Sequence, residues 1–351
     1  MTDRGLMQRL NDGEKVIVAE GYIFNFERRC YIRAGPYVPT VVLEHPNLVK
    51  QLHEEFVRAG SDVVQAFTYY GNRAKLKLID RLADLESMNR TALRMAKDCA
   101  NNTGTLMAGD ICNTNTYDTS DPNNKENMEA IFKEQVEWAV EEGADFIVGE
   151  TFGILDEALI ALDVIKTYGK GAPAVITMST HNIFKNGVLS TVDGVELTEA
   201  MKRLESAGAD VVGLNCTRGP ETMIPLMEKI KKSGVKAHLA ALPITYRTTE
   251  EEPTFHKLTD PKTGKIVFPL NLDCALNSRE DIFEFGRRCD ELGINYLGLC
   301  CGNSPHYTRT LAESVGRKPP GSKFSPDLSF HCFYGIDDIV NKYLPTANVL
   351  G

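Results

Sequence analysis

Four phrases in this chain share one grammar, in which a helical stretch ends at glycine and an apolar, mostly β-branched run follows at once. They are Ala59-Gly60-Ser61-Asp62-Val63-Val64, Glu142-Gly143-Ala144-Asp145-Phe146-Ile147, Ala207-Gly208-Ala209-Asp210-Val211-Val212 and Leu292-Gly293-Ile294-Asn295-Tyr296-Leu297. Glycine just past a helix permits a left-handed cap, and a short continuous apolar run reads as a strand buried on both faces. Each phrase is therefore a helix-to-strand joint, so helix and strand must alternate along the chain.

Further strand candidates lie at Val16–Glu20, Thr105–Asp110, Ala174–Ser179 and Ala237–Leu242, which makes eight with those opening near Val63, Phe146, Val211 and Tyr296. Amphipathic stretches separate them at Pro46–Ala59, Leu82–Ala100, Lys125–Glu142, Asp156–Tyr168, Val195–Ala207, Glu221–Ser233, Arg279–Leu292 and Pro305–Val315. Eight successive βα units predict a closed (β/α)8 TIM barrel rather than an open doubly wound sheet, and no G-x-G-x-x-G follows the first strand. The barrel is expected over residues 1–318, with 319–351 as a C-terminal tail holding one short helical candidate, Gly335–Tyr343, read as a docking or oligomerisation segment. The segment Thr245–Asn277 is too long for a plain connection and is read as a loop over the rim.

A net charge of −9, with no basic stripe to offset it, excludes a general nucleic-acid or anionic-membrane binder and favours small-molecule partners. No run of eighteen apolar residues occurs and the first residues carry no apolar leader, so the expected setting is the cytoplasm. Nine cysteines, odd in number and irregularly spaced, suit reduced thiols or metal ligands better than a disulfide framework.

In a barrel of this kind chemistry collects at the C-terminal ends of the strands. Cys216 follows the sixth strand in Gly213-Leu214-Asn215-Cys216, and Cys300 and Cys301 follow the eighth in Gly298-Leu299-Cys300-Cys301-Gly302. Neighbouring cysteines cannot readily bond to each other, because adjacent Cα atoms stand only ~3.8 Å apart and a disulfide wants more. A shared soft cation accounts for the trio, zinc first, with the fourth tetrahedral position left to an exchangeable ligand. The plainer account is three buried cysteines acting as small apolar side chains. Glu20, Tyr69, Tyr70 and Glu150 fall at the ends of the first, second and fourth strands, on the same rim. Glu150, Thr151 and Asp156 are alternatively caps for the helix that follows. His181 and His306 lie near rim loops and are read as structural.

These elements resemble the zinc-dependent homocysteine S-methyltransferases, and within them the betaine–homocysteine methyltransferase branch, over roughly residues 5–315. Gly213–Cys216 matches the family's G-[VIL]-N-C element and Gly298–Gly302 its G-G-C-C-G element, with Leu299 for the second glycine. The resemblance implies that Cys216, Cys300 and Cys301 bind Zn2+, and that Glu150 holds the amino group of homocysteine. The betaine branch is suggested by Ala34-Gly35-Pro36-Tyr37 and by Gln65-Ala66-Phe67-Thr68-Tyr69-Tyr70. It implies Tyr37, Tyr69 and Tyr70 as a cage for a methylated cation, with Tyr70 alternatively approaching the metal when no substrate is bound. The family ends its first strand with D-G-[GA], whereas here the run is Ala19-Glu20-Gly21. The acid has either shifted by one residue, which alternation turns to the opposite face, or left that role; Glu20 and Gly21 are carried as substrate-binding candidates.

The implied activity is methyl transfer from an onium donor, glycine betaine or a sulfonium such as dimethylsulfoniopropionate, to homocysteine, giving methionine. Thiolate ligands suit this alkylation better than the histidine-rich sites that activate water. Two alternatives stay open: the same zinc chemistry with S-methylmethionine as donor or another thiol as acceptor, and a catalytically silent onium-binding barrel. Structural zinc usually has a fourth protein ligand, and the sequence offers none. A homo-oligomer is a further expectation, since the tail could serve assembly.

Overall fold

The computed structural model describes residues 4–185 and 187–327. Eight parallel strands close into a barrel: β1 (Val16–Ala19), β2 (Val63–Gln65), β3 (Leu106–Cys112), β4 (Phe146–Phe152), β5 (Ala174–Met178), then β8 (Val211–Asn215), β9 (His238–Leu242) and β10 (Tyr296–Leu299), with β10 returning to pair with β1. The remaining two, β6 (Phe184–Lys185) and β7 (Val188–Leu189), form a small antiparallel hairpin at the rim. This is the expected (β/α)8 architecture. Seven of the eight expected helices lie within one or two residues of their expected bounds; the exception runs Leu85–Thr103, three residues later at each end, after a short 3-10 turn at Leu82–Asp84. Short helices at Leu6–Asn11, Tyr22–Arg28, Val41–Glu44 and Arg73–Lys77 add to the plan, being too brief for a clear periodicity. The candidate helix Gly335–Tyr343 lies outside the described residues. The preceding segment, Pro320–Phe324, is a 3-10 turn tied to the barrel's last helix by Arg309 Nη1 donating to Phe324 O at 2.9 Å. Among the described residues no helix is long and apolar enough to cross a membrane.

The joint glycines adopt the left-handed conformation the sequence calls for, with φ of 117° at Gly60, 81° at Gly143, 95° at Gly208 and 66° at Gly293. The acid two residues on has a purpose that spacing alone did not reveal. Asp62 donates its backbone N–H to Ile17 O at 2.7 Å while its carboxylate accepts from Ile17 N at 2.7 Å. Asp145 does the same with Met107, and Asp210 with Ala174. Each acid thus clamps the start of the neighbouring strand and sets the register of the pair. Asn295 departs from this, its side chain accepting instead from Lys15 Nζ at 2.8 Å.

Strand alternation divides the residues between two surroundings. Ile17, Ile147, Ile176, Val212, Leu239 and Leu297 pack outward among the helices. Val16, Val18, Val63, Ala108, Val148, Val175, Val211, Leu242 and Tyr296 fill the barrel, whose N-terminal end is closed by Leu6 and Leu10 of the first helix. Following each inward series toward the C-terminal end, the residues change character: Glu20 after Val18, Gln65 after Val63, Asp110 after Ala108, Glu150 after Val148, Thr177 after Val175, and Cys300 two beyond Gly298. The lower barrel is an apolar plug and its upper layer is polar, which places the site.

Candidate active site

Three sulfurs meet where β8 and β10 end. Cys216 Sγ stands 3.6 Å from Cys301 Sγ, Cys301 Sγ stands 4.0 Å from Cys300 Sγ, and the three lie within 4.8 Å of one another. Four ligands about zinc with Zn–S of ~2.3 Å imply S···S separations of about 3.8 Å, so the trio already has the spacing of three corners of a tetrahedron. Backbone bonds hold it: Cys216 N donates to Leu242 O at 2.9 Å, Cys300 N to Pro243 O at 2.8 Å and Thr245 N to Cys301 O at 3.0 Å. Both Cys216 and Thr217 take positive φ, 57° and 64°, a conformation costly for side-chain-bearing residues and typical of sites that over-determine their geometry. In the bare thiol cluster Cys300 and Cys301 hydrogen-bond to Cys216, which draws its thiol well below the ordinary range and pushes theirs up. Such a cluster stabilises a sulfur anion before any cation is counted.

Beside the sulfurs lies a buried carboxyl group of three. Glu20, Asp110 and Glu150 are 2%, 3% and 3% exposed. Glu150 is fully harnessed: Gln65 Nε2 donates to Oε1 at 2.8 Å, and Asn215 Nδ2 and Thr151 Oγ1 donate to Oε2 at 2.8 and 2.9 Å. Burial pushes its carboxyl up to about 7 despite these donors. Glu20 and Asp110 are pushed well above the usual range by burial and by the neighbouring Glu150. Glu20 points inward in step with Val16 and Val18, so the sequence-based concern that alternation would turn it away is answered. The strand simply continues its inward series for one more residue.

Gly21 serves the site through its backbone. At φ 85° it turns the chain beneath the cysteine pair, where a Cβ would stand 2.3 Å from Cys300 O. Asn303 Nδ2 donates to Glu20 O at 3.3 Å and Asn25 Nδ2 to Asn303 O at 2.8 Å, tying the two strand ends together.

One cavity of about 440 Å³ joins these groups, lined by Glu20, Gly21, Tyr37, Tyr69, Tyr70, Glu150, Cys216, Cys300 and Cys301, all nine residues singled out in the sequence. Its aromatic side holds Tyr37 against Phe24 at 5.8 Å between ring centroids, and Tyr69 against Tyr70 at 4.4 Å. The tyrosine pair, expected to close β2, lies four and five residues beyond its end at Gln65. Lys75 Nζ sits 3.9 Å over the Tyr70 ring, so one face of that ring already receives a cation, and the Tyr70 hydroxyl is engaged by Asn115. The long Thr245–Asn277 segment does cover the rim, contributing Phe255, His256 and Phe268.

Several lining residues escaped the sequence reading. Asp110 and Gln65 were readable as polar residues at inward parity in otherwise apolar strands. His181, placed near a rim loop by the sequence but read as structural, lines the cavity and stacks on His256 at 5.8 Å, a pairing between distant loops that no local pattern announces. His306 instead bonds Ser304 Oγ through Nδ1 at 2.9 Å. The helix Leu155–Tyr168 is capped by neither Glu150, Thr151 nor Asp156. Asp193 accepts from Leu155 N and Asp156 N at 3.0 and 3.2 Å, leaving Glu150 to the cavity.

Comparison with known proteins agrees with this geometry. The family model described as homocysteine S-methyltransferase matches residues 21–315. Betaine–homocysteine S-methyltransferase 1 of Xenopus tropicalis is 34% identical over 333 residues, covering 91% of this chain and 78% of that protein. The S-methylmethionine–homocysteine S-methyltransferase of Mus musculus is 32% identical over 335 residues, covering 91% and 85%. Among solved structures, the metallated form of the homocysteine methyltransferase MmuM from Escherichia coli superposes with a TM-score of 0.66 at 16% identity, covering 88% of this chain and 99% of that one, a likeness of fold.

Proposed function

Because the chain belongs to the homocysteine S-methyltransferase family, we propose that it transfers a methyl group from an onium carboxylate, glycine betaine or a sulfonium analogue, to homocysteine at a zinc ion held by Cys216, Cys300 and Cys301. The observation that carries this reading is the convergence of the three sulfurs, at tetrahedral spacing, on a cavity that has carboxylates on one side and aromatic rings on another. Zinc bound there would supply the positive charge that lets an incoming thiol shed its proton near neutral pH.

The protein's own residues do the rest. Glu150, immobilised by Gln65, Asn215 and Thr151, and Glu20 beside it attract the acceptor's ammonium group and so aim its sulfur toward the cysteines. Tyr37, Tyr69 and Tyr70 receive the methylated cation on their ring faces, each contact contributing ~0.5–2 kcal/mol. In the transfer an S–CH3 bond forms as the donor's N–CH3 or S–CH3 bond breaks; the bonding pair stays with the departing amine or sulfide, and the thiol proton goes to solvent. Placing sulfur, methyl carbon and leaving atom in line is the main source of acceleration open to such a site. Free thiol ligands suit a reducing compartment, consistent with a cytoplasmic setting.

The test is zinc-loaded protein incubated with homocysteine and, separately, glycine betaine, dimethylsulfoniopropionate and S-methylmethionine, with products identified by mass spectrometry. Methionine together with dimethylglycine, or with the demethylated sulfide, is expected from the first two. Methionine from S-methylmethionine alone would transfer the assignment to the activity named for the mouse relative. No methionine from any donor, with zinc bound, would leave the silent onium-binding barrel.

A further inference from the structure

Counting donors and acceptors in the cavity leaves an imbalance. Gln65 spends Nε2 on Glu150, and Asn215 uses Nδ2 on Glu150 and Thr151 Oγ1 while its Oδ1 accepts from Thr151 N at 2.9 Å. Without a partner on the acidic wall are both Glu20 carboxyl oxygens, Gln65 Oε1 and Asp110 Oδ1, all buried; the Tyr37 hydroxyl, also unpartnered, lies on the aromatic side. The three residues of the acidic wall line the same cavity. Four buried oxygens facing one space, none with a partner, are a costly arrangement unless a ligand brings N–H groups.

Resting on the methyl-transfer reading above, we propose that Asp110 is a further acceptor-binding residue, which with Glu20 and Gln65 makes the cavity selective for a thiol bearing a primary ammonium group. A primary ammonium offers three N–H donors and no lone pair, the complement of this set. A quaternary ammonium or sulfonium head offers none, so it cannot satisfy these atoms and is left to the aromatic side. The free acceptors therefore sort the two substrates, ammonium to the acidic wall and onium to the rings. Asp110 adds a third carboxyl to a wall that already holds two, and a cation in the site offsets the burial and crowding that push all three upward.

The experiment uses zinc-loaded Asp110→Asn and Asp110→Ala proteins with homocysteine and its des-amino analogue 4-mercaptobutanoate. Wild type is expected to prefer homocysteine strongly. In Asp110→Asn the homocysteine KM should rise about 10- to 100-fold, the scale of a hydrogen bond to a charged group, while the KM of the onium donor moves by less than about two-fold. The preference over 4-mercaptobutanoate should shrink by the same factor. The ligand-free variant should melt no lower than wild type, because asparagine keeps the shape of the side chain and relieves the crowding of one buried carboxyl against Glu150. An unchanged homocysteine KM and unchanged preference would overturn the proposal, as would a lowered melting temperature with both substrates' KM values rising together, the signature of a structural residue. Should wild type form no methionine with any donor, the methyl-transfer reading fails instead, and calorimetric binding of the two thiols to wild type and Asp110→Ala still decides the role of Asp110.

Discussion

Replacing Gly21 with alanine isolates how the end of β1 supports the cysteine site. At φ 85° an alanine costs about 1–2 kcal/mol for the left-handed backbone alone. Its Cβ would also lie 2.3 Å from Cys300 O and 2.9 Å from Cys300 C, against the ~3.5 Å of an ordinary contact, so something must move by about 1 Å. Both atoms are backbone and cannot swing aside. Cys300 O accepts from Asn303 N at 3.0 Å and Cys300 N donates to Pro243 O at 2.8 Å, so the displacement is passed to Cys300 Sγ. Overpacking of this kind adds about 1–3 kcal/mol, giving a loss of roughly 2–5 kcal/mol in all. A shift of 1 Å at a reacting centre costs about 100-fold in rate. The assay combines urea denaturation, zinc per chain by elemental analysis, and kcat for methionine formation. Gly13→Ala is the control, since Gly13 has φ 80° and nothing within 4 Å of its would-be Cβ, and it should lose only the backbone contribution and no activity. A Gly21→Ala protein with full zinc and wild-type kcat would refute the reasoning.

Cys216→Ala should abolish stoichiometric zinc binding and with it methyl transfer, while leaving the barrel's circular dichroism unchanged; retention of one tightly held zinc per chain would count against the assigned ligands. His53, buried against Tyr22 with both ring nitrogens unpartnered, has its pKa pushed down to about 4 by burial. The unfolded chain therefore takes up a proton near pH 6.5 that the folded one refuses until about pH 4, so this contribution is intact above pH 6.5 and falls as pH drops, by about 2 kcal/mol at pH 5. His53→Phe should flatten that part of the stability–pH curve, and an unaltered slope between pH 7 and 5 would exclude His53 as its source. Asp62→Ala removes the clamp on Ile17 N and one of the two acidic partners of the buried Arg9 guanidinium, Glu14 being the other, and should cost about 2 kcal/mol in chemical denaturation; a loss under 1 kcal/mol would mean the joint acids do not set strand register.

What was legible before folding was what is local. A glycine needing positive φ, a helix with one apolar stripe and a β-branched run each declare themselves within a few residues, so the joints, the helices and hence the eight-fold alternation could be read directly. Cys216 and Cys300–Cys301 stood out because thiols are rare and theirs fell at strand ends. Glu20 illustrates the boundary: its type was visible, but its direction depended on where β1 stopped alternating.

The chain by itself thus determined that strands and helices alternate, that the strands are buried on both faces, and that soft-metal ligands follow two of them. Closure of the barrel decided the rest, because convergence is a property of register around a ring and not of spacing along a chain. Only the ring brings the ends of β2, β3 and β4 side by side, turning Gln65, Asp110 and Glu150 into one wall beside the sulfurs. Only tertiary contacts settle that Asp193 caps the helix after β4, that Gly21 makes room for the Cys300 carbonyl, and that the rim loop lays Phe255 and His256 over the cavity.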